Sequence, residues 1–184
     1  MSVNLSAKQF TESGLVQRVE EVLQQTGLAP CDLRLEVTES SLMSNAEQAV
    51  VTMKDLRALG VGLHMDDFGT GYSSLQYLQR FPFDMLKIDR SFIKQICENK
   101  ESSKIVRTIL DLARSLVMDV VAEGIETEAQ MRALKGLGCR FGQGYYFSKP
   151  QDSVTISRSL SMGSQDSERP ALLTMDPRSS IGHA

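Results

Sequence analysis

Tryptophan is absent from this 184-residue chain, and histidine occurs only twice, at His64 and His183. Cysteine is nearly as scarce: Cys31, Cys97 and Cys139 are odd in number and widely spaced, without metal-ligand spacing. So few thiols and imidazoles exclude a His/Cys zinc cluster and a disulfide framework. The cysteines read as reduced thiols of a cytoplasmic protein. No apolar run is long enough to span a bilayer. The start, MSVNLSAKQF, lacks the basic and apolar regions of a signal peptide. Excess positive charge is missing too: 20 Lys and Arg stand against 23 Asp and Glu, for a net charge of −3. That balance argues against a nonspecific DNA or membrane-surface binder. No dinucleotide glycine fingerprint follows a predicted strand, and no nucleophile elbow supports a serine route.

What is present is an ordinary globular composition, 41% hydrophobic and 23% charged, in a chain long enough for one domain with a real core. The pattern alternates strand and helix. Val3-Asn4-Leu5 reads as a strand end. Ser6 caps a helix whose apolar face is Phe10, Leu15, Val19, Val22 and Leu23, closed by Gly27 and Pro30. Strands are expected at 33–37, 61–65, 85–89 and 120–122, with a last strand-like segment at 141–147. Helices are expected at 45–59, 73–79, 91–98, 102–116 and 127–137, the last capped by Thr127. That makes about six strands separated by helical crossovers, hence a parallel sheet.

The stretch Met65-Asp66-Asp67-Phe68-Gly69-Thr70-Gly71-Tyr72-Ser73-Ser74 stands out. Two adjacent carboxylates leave an apolar run and enter a glycine-rich turn. By strand alternation only one of the pair could face a shared interior. At a C-terminal strand end the pair suits a divalent cation. Polar residues recur at the other strand ends: Asn4, Glu36, Lys87 with Asp89, Glu123 and Gln143. In a (β/α) barrel these ends converge on one face. His64 lies on the face of Asp66 and is expected to pack inside the barrel rather than bind metal.

The motifs Val3-Asn4-Leu5-Ser6-Ala7, Glu36-Val37-Thr38-Glu39-Ser40, Asp66-Asp67-Phe68-Gly69-Thr70-Gly71, Leu86-Lys87-Ile88-Asp89-Arg90-Ser91-Phe92, Val121-Ala122-Glu123-Gly124-Ile125-Glu126-Thr127 and Gln143-Gly144-Tyr145 occur in one order. On them, Ser2 to about Pro150 resembles the C-terminal two-thirds of an EAL domain, the family of cyclic-di-GMP phosphodiesterases. The resemblance implies an α/β fold, an incomplete TIM-like (β/α) barrel. In the family one strand of that barrel is reversed. It implies hydrolysis of cyclic-di-GMP to linear pGpG with Mg²⁺ or Mn²⁺. Asn4, Glu36 and Asp66 would be metal ligands, and Asp67 would help hold a second metal. Asp89 would support the metal site, and Glu123 would be a metal-site carboxylate that positions the attacking water. Lys87 would touch that water or a phosphate oxygen, and Gln143 would complete the polar floor. Glu39 would anchor the loop from Phe68 to Ser74, which carries homodimer contacts. Glu126 is a further acidic neighbour, equally explained as a helix N-terminal carboxylate.

The Glu-Ala-Leu signature itself is missing from the sequence. Its glutamate is a metal ligand in the family, so the expectation is a truncated domain over residues 1–160, short of about two βα units and catalytically impaired. The alternative is an inactive remnant that binds cyclic-di-GMP or another protein. A sensor or cyclase domain ahead of Met1 belongs to the same expectation. Residues 161–184, rich in Ser, Gly and Pro, read as a disordered tail.

Overall fold

Aliphatic residues alternate with polar ones along the strands, and each strand is followed by helix, so neighbouring strands pair in parallel. The computed structural model describes residues 1–43, 45–70, 75–162 and 173–174. Six strands pair in parallel and in sequence order: β1 (Ser2–Asn4), β2 (Arg34–Thr38), β3 (Gly62–Phe68), β4 (Met85–Ile88), β5 (Asp119–Ala122) and β6 (Phe141–Gly142). A two-residue strand, β7 (Leu173–Thr174), runs antiparallel to β6. An unreversed strand order is the plan of a (β/α) barrel, not of a doubly wound sheet. Among the described residues β1 is paired only to β2, so the sheet is an open arc.

The outward faces of the strands form the core. Leu35, Val37, Leu63, Met65, Leu86, Ile88, Val120 and Ala122 are buried together with Met53, Leu56, Ile93, Val106, Leu110 and Leu134 from the helices. The inward positions are largely polar, with Met85 and Val121 among them. Helical caps match the sequence signals at several points. Helix α4 (Ala46–Ala58) starts on Asn45, whose side chain accepts from the Gln48 N–H. Helix α8 (Glu128–Gly136) starts on Thr127, which forms a capping box with Gln130, whereas α7 (Lys100–Ser115) starts on Asn99, two residues before the expected start.

Three sequence expectations need correction. The first helix is two helices, α1 (Ala7–Thr11) and α2 (Leu15–Thr26), because Gly14 takes a left-handed φ of +84° and breaks the run. Val22 is consequently half exposed rather than part of the buried face. The last strand-like segment shrinks to β6, after which the chain turns. Strand β3 is longer than expected: it continues through Asp66 and Asp67 to Phe68. Helix α5 (Leu75–Leu78) falls within the expected 73–79, whose residues 73 and 74 lie outside the described residues. Most of the expected tail also lies outside them.

Candidate functional site

The site forms where β2, β3, β4 and β5 end. Lys87, from β4, is buried, and its ammonium nitrogen lies 2.6 Å from Glu36 Oε2 of β2. It also lies 3.0 Å from Asp66 Oδ1 of β3 and 2.7 Å from Glu123 Oε1 just past β5. Parallel register explains the meeting: Glu36 sits opposite His64, and Lys87 opposite Val121, so inward positions of adjacent strands stack at similar heights. Asn4, at the exposed end of β1, is in register with Glu36.

Strict alternation would send Asp67 away from Asp66. The strand avoids this with an irregularity: the β3–β4 register shifts between Met65 and Phe68, and Asp67 takes φ +52°. A bulge of this kind re-aims a side chain, at a cost in backbone strain. Both carboxylates therefore face the site. Ligand oxygens of Asp66, Asp67 and Glu123 all lie within 4.8 Å of one another. The Asp67 N–H donates to Asp66 Oδ1 at 3.1 Å, which fixes the inner carboxylate. Alternation alone missed this; the Gly69 and Gly71 that follow were the available sign of irregular backbone.

Charge crowding shows in the titration of these groups. Burial raises Glu123 above the usual carboxylate range; Asp66 and Glu36 add to this, against the pull of Lys87. Burial also raises Asp67, with the charges of Asp66 and Asp89 adding to it. Burial alone would lower Lys87, but its bonds to Glu123 and Glu36 more than offset it and keep the ammonium charged. Gln143 Nε2 donates to Glu123 Oε1 at 2.6 Å and orients that carboxylate from the end of β6.

Asp89 does not join the converging carboxylates. It caps α6 (Arg90–Lys94), accepting from the Ser91 N–H at 3.0 Å, and reaches the site through its charge on Asp67. Glu39 is not in the carboxylate group either. It opens α3 (Glu39–Met43) and is 4% exposed, and among the described residues neither carboxylate oxygen has a hydrogen-bond partner. The dimer loop assigned to 68–74 can be followed only to Thr70, because residues 71–74 lie outside the described residues. His64 is buried and lines a lumen cavity of about 360 Å³ with Arg34, Glu36, Met85, Lys87 and Gln143, inside the arc as expected.

A second cavity, of about 500 Å³, opens beside Glu123 and Gln143. Glu126 lines it. Arg90, Tyr145 and Lys149 line it too, and sequence reasoning gave them no role. Arg90 directly follows Asp89 at a strand end, which was the signal available for it.

Residues 1–150 match the EAL domain family model. The chain belongs to the EAL domain family. It is 46% identical over 160 residues to the bifunctional diguanylate cyclase/cyclic di-GMP phosphodiesterase MucR of Pseudomonas aeruginosa, covering 87% of this chain and 23% of MucR. The chain thus spans less than a quarter of that relative's length. The MucR phosphodiesterase in complex with c-di-GMP superposes with a TM-score of 0.81 at 46% identity, covering 84% of this chain and 63% of that one. The Klebsiella pneumoniae BlrP1 manganese/cy-diGMP complex superposes with a TM-score of 0.75 at 33% identity, covering 81% and 38%. These likenesses bear out the α/β, TIM-like reading of an EAL domain, here as an open arc.

Proposed function

We propose that this EAL domain hydrolyses cyclic-di-GMP to linear pGpG with Mg²⁺ or Mn²⁺. The observation that carries this reading is the convergence of Glu36, Asp66 and Glu123 on the Lys87 ammonium at 2.6–3.0 Å, with Asp67 turned into the same group. The residues fit divalent ions. Their donors are all oxygens, the choice of hard cations. A cation, the Lys87 ammonium, already sits among them. Asn4, Glu36, Asp66, Asp67 and Glu123 would hold the ions, with Asp89 supporting them through its charge. The ions would supply positive charge against the phosphodiester and lower the pKa of water.

The remaining work belongs to the chain. Lys87 brings a positive charge to where a phosphate oxygen must approach. Glu123, oriented by Gln143, accepts a hydrogen bond from the attacking water and so aims it. Arg90 and Lys149 place positive charge on the wall of the adjoining cavity, which suits an anionic substrate. Glu39 anchors the loop that begins at Phe68, and dimer contacts through that loop belong to the same reading. Among the described residues the buried Glu39 carboxylate has no hydrogen-bond partner, which is costly unless the loop supplies one and so supports this role.

One observation favours a second reading, cyclic-di-GMP binding without turnover: among the described residues the sheet runs from β1 to β7 without closing. Hydrolysis assays with the purified chain separate the two. With Mn²⁺ or Mg²⁺, pGpG is expected to form, and Glu36→Ala is expected to abolish it. Saturable cyclic-di-GMP binding by a folded chain with no pGpG would replace the first reading with the second.

A further inference from the structure

Lys87 draws on the same carboxylates that gather as candidate metal ligands. Its Nζ contacts Asp66 Oδ1 at 3.0 Å and Glu123 Oε1 at 2.7 Å, and both residues belong to the group whose oxygens lie within 4.8 Å of one another. Three carboxylates, Glu36, Asp66 and Glu123, contact this one ammonium, and Asp67 lies in the same group as Asp66 and Glu123. Without a cation among them their mutual repulsion would be poorly screened, because Glu36, Asp66 and Glu123 are only 11–16% exposed. A lysine suits a temporary cation: a compact charge on a flexible four-carbon stem, able to withdraw without rebuilding the backbone.

We infer that Lys87 is the counter-ion of the metal-free site, holding Asp66 and Glu123 in place until a divalent cation takes them and the ammonium withdraws. This rests on the metal-dependent reading above and adds a role for Lys87 that precedes substrate. Lysine and metal are then competitors. The lysine keeps the empty site from splaying and, in exchange, weakens metal binding.

The test compares the wild-type chain with Lys87→Met, both stripped with EDTA and titrated with Mn²⁺. Bound Mn²⁺ is counted by electron paramagnetic resonance and thermal unfolding is followed in parallel. In EDTA the variant is expected to unfold at a lower temperature than wild type. Its half-saturating Mn²⁺ concentration is expected to fall about tenfold, since a repelling charge has left the site. An unchanged or higher half-saturating concentration would overturn the counter-ion role and leave the metal site standing. No Mn²⁺ binding by either protein would overturn both. Should Lys87→Met fail to fold, acetic anhydride labelling of the wild-type chain, read by mass spectrometry, decides instead. Lys87 modification is expected to rise severalfold with saturating Mn²⁺, and equal labelling with and without it would overturn the inference.

Discussion

Leu86 and Lys87 are neighbours in β4, and both are almost inaccessible, at 0% and 6% exposure. Leu86 faces outward, into the apolar layer between strands and helices. Lys87 faces inward, onto carboxylates from β2, β3 and the end of β5. The same alternation separates Leu35 from Glu36 and Met65 from Asp66. The outward members lose water and gain close packing, which stabilises the fold. The inward members lose water and gain charged neighbours, a trade that often breaks even or costs stability. One face therefore holds the strands in place, and the other spends part of that stability on a charged site.

The sharpest way to break this comparison is to cut each face separately. Leu86→Ala is expected to cost about 2–5 kcal/mol in denaturant unfolding, the range for a truncated, fully buried leucine. Glu36→Gln is expected to cost less than Leu86→Ala, because Lys87 keeps Asp66 and Glu123 and the excess negative charge falls. Its rate of pGpG formation is expected to drop at least about 100-fold, the scale for disturbing a metal site. If Glu36→Gln unfolded as readily as Leu86→Ala, the two faces would not be separable in this way.

A smaller effect contrasts the site with a helix remote from the chemistry. Gly124 follows Glu123 with φ +70°, and an added Cβ would lie 2.5 Å from Arg90 Cβ. Gly124→Ala is expected to cost about 1–3 kcal/mol from backbone strain and the clash. Gly136 ends α8, where an added Cβ meets nothing within 4 Å. Gly136→Ala is expected to stabilise by up to about 1 kcal/mol through the unfolded chain. Thermal unfolding of both variants checks the opposite signs.

Much of this design was legible in the residues. Period-two alternation and the caps at Ser6 and Thr127 located the strands and helices, because both are local effects. The polar strand ends pointed to one face, and the structure brings Glu36, Asp66, Lys87, Glu123 and Gln143 together there. What was not legible depended on non-local geometry. The paired orientation of Asp66 and Asp67 needs a register shift against β4, and no single strand encodes that. Asp89, which the resemblance placed in support of the metal site, has its carboxylate on the N–H of Ser91 at the head of α6. The break at Gly14 was visible as a residue type, yet glycine inside an amphipathic pattern does not by itself say whether the helix ends.

The smallest expected effect probes the inward face through protons. His64 is buried in the lumen, and burial lowers its pKa, with the charges of Arg34 and Lys87 adding to this and those of Glu36 and Asp84 opposing it. In the unfolded chain the imidazole takes a proton near about pH 6.5, while in the folded chain it resists until a lower pH. Between those values the unfolded state holds more protons, so stability falls on acidification. Glu123 and Asp67 work in the opposite direction. Their raised folded pKa values mean that the folded state holds more protons in acid, which relieves crowding as pH drops toward the unfolded carboxylate range. The wild-type slope is the difference between the two. His64→Asn is expected to remove the opposing part, so urea unfolding between about pH 7 and about pH 5 should show less loss of stability than wild type. An unchanged slope would mean that His64 is no part of this balance, and that the inward face titrates through its carboxylates alone.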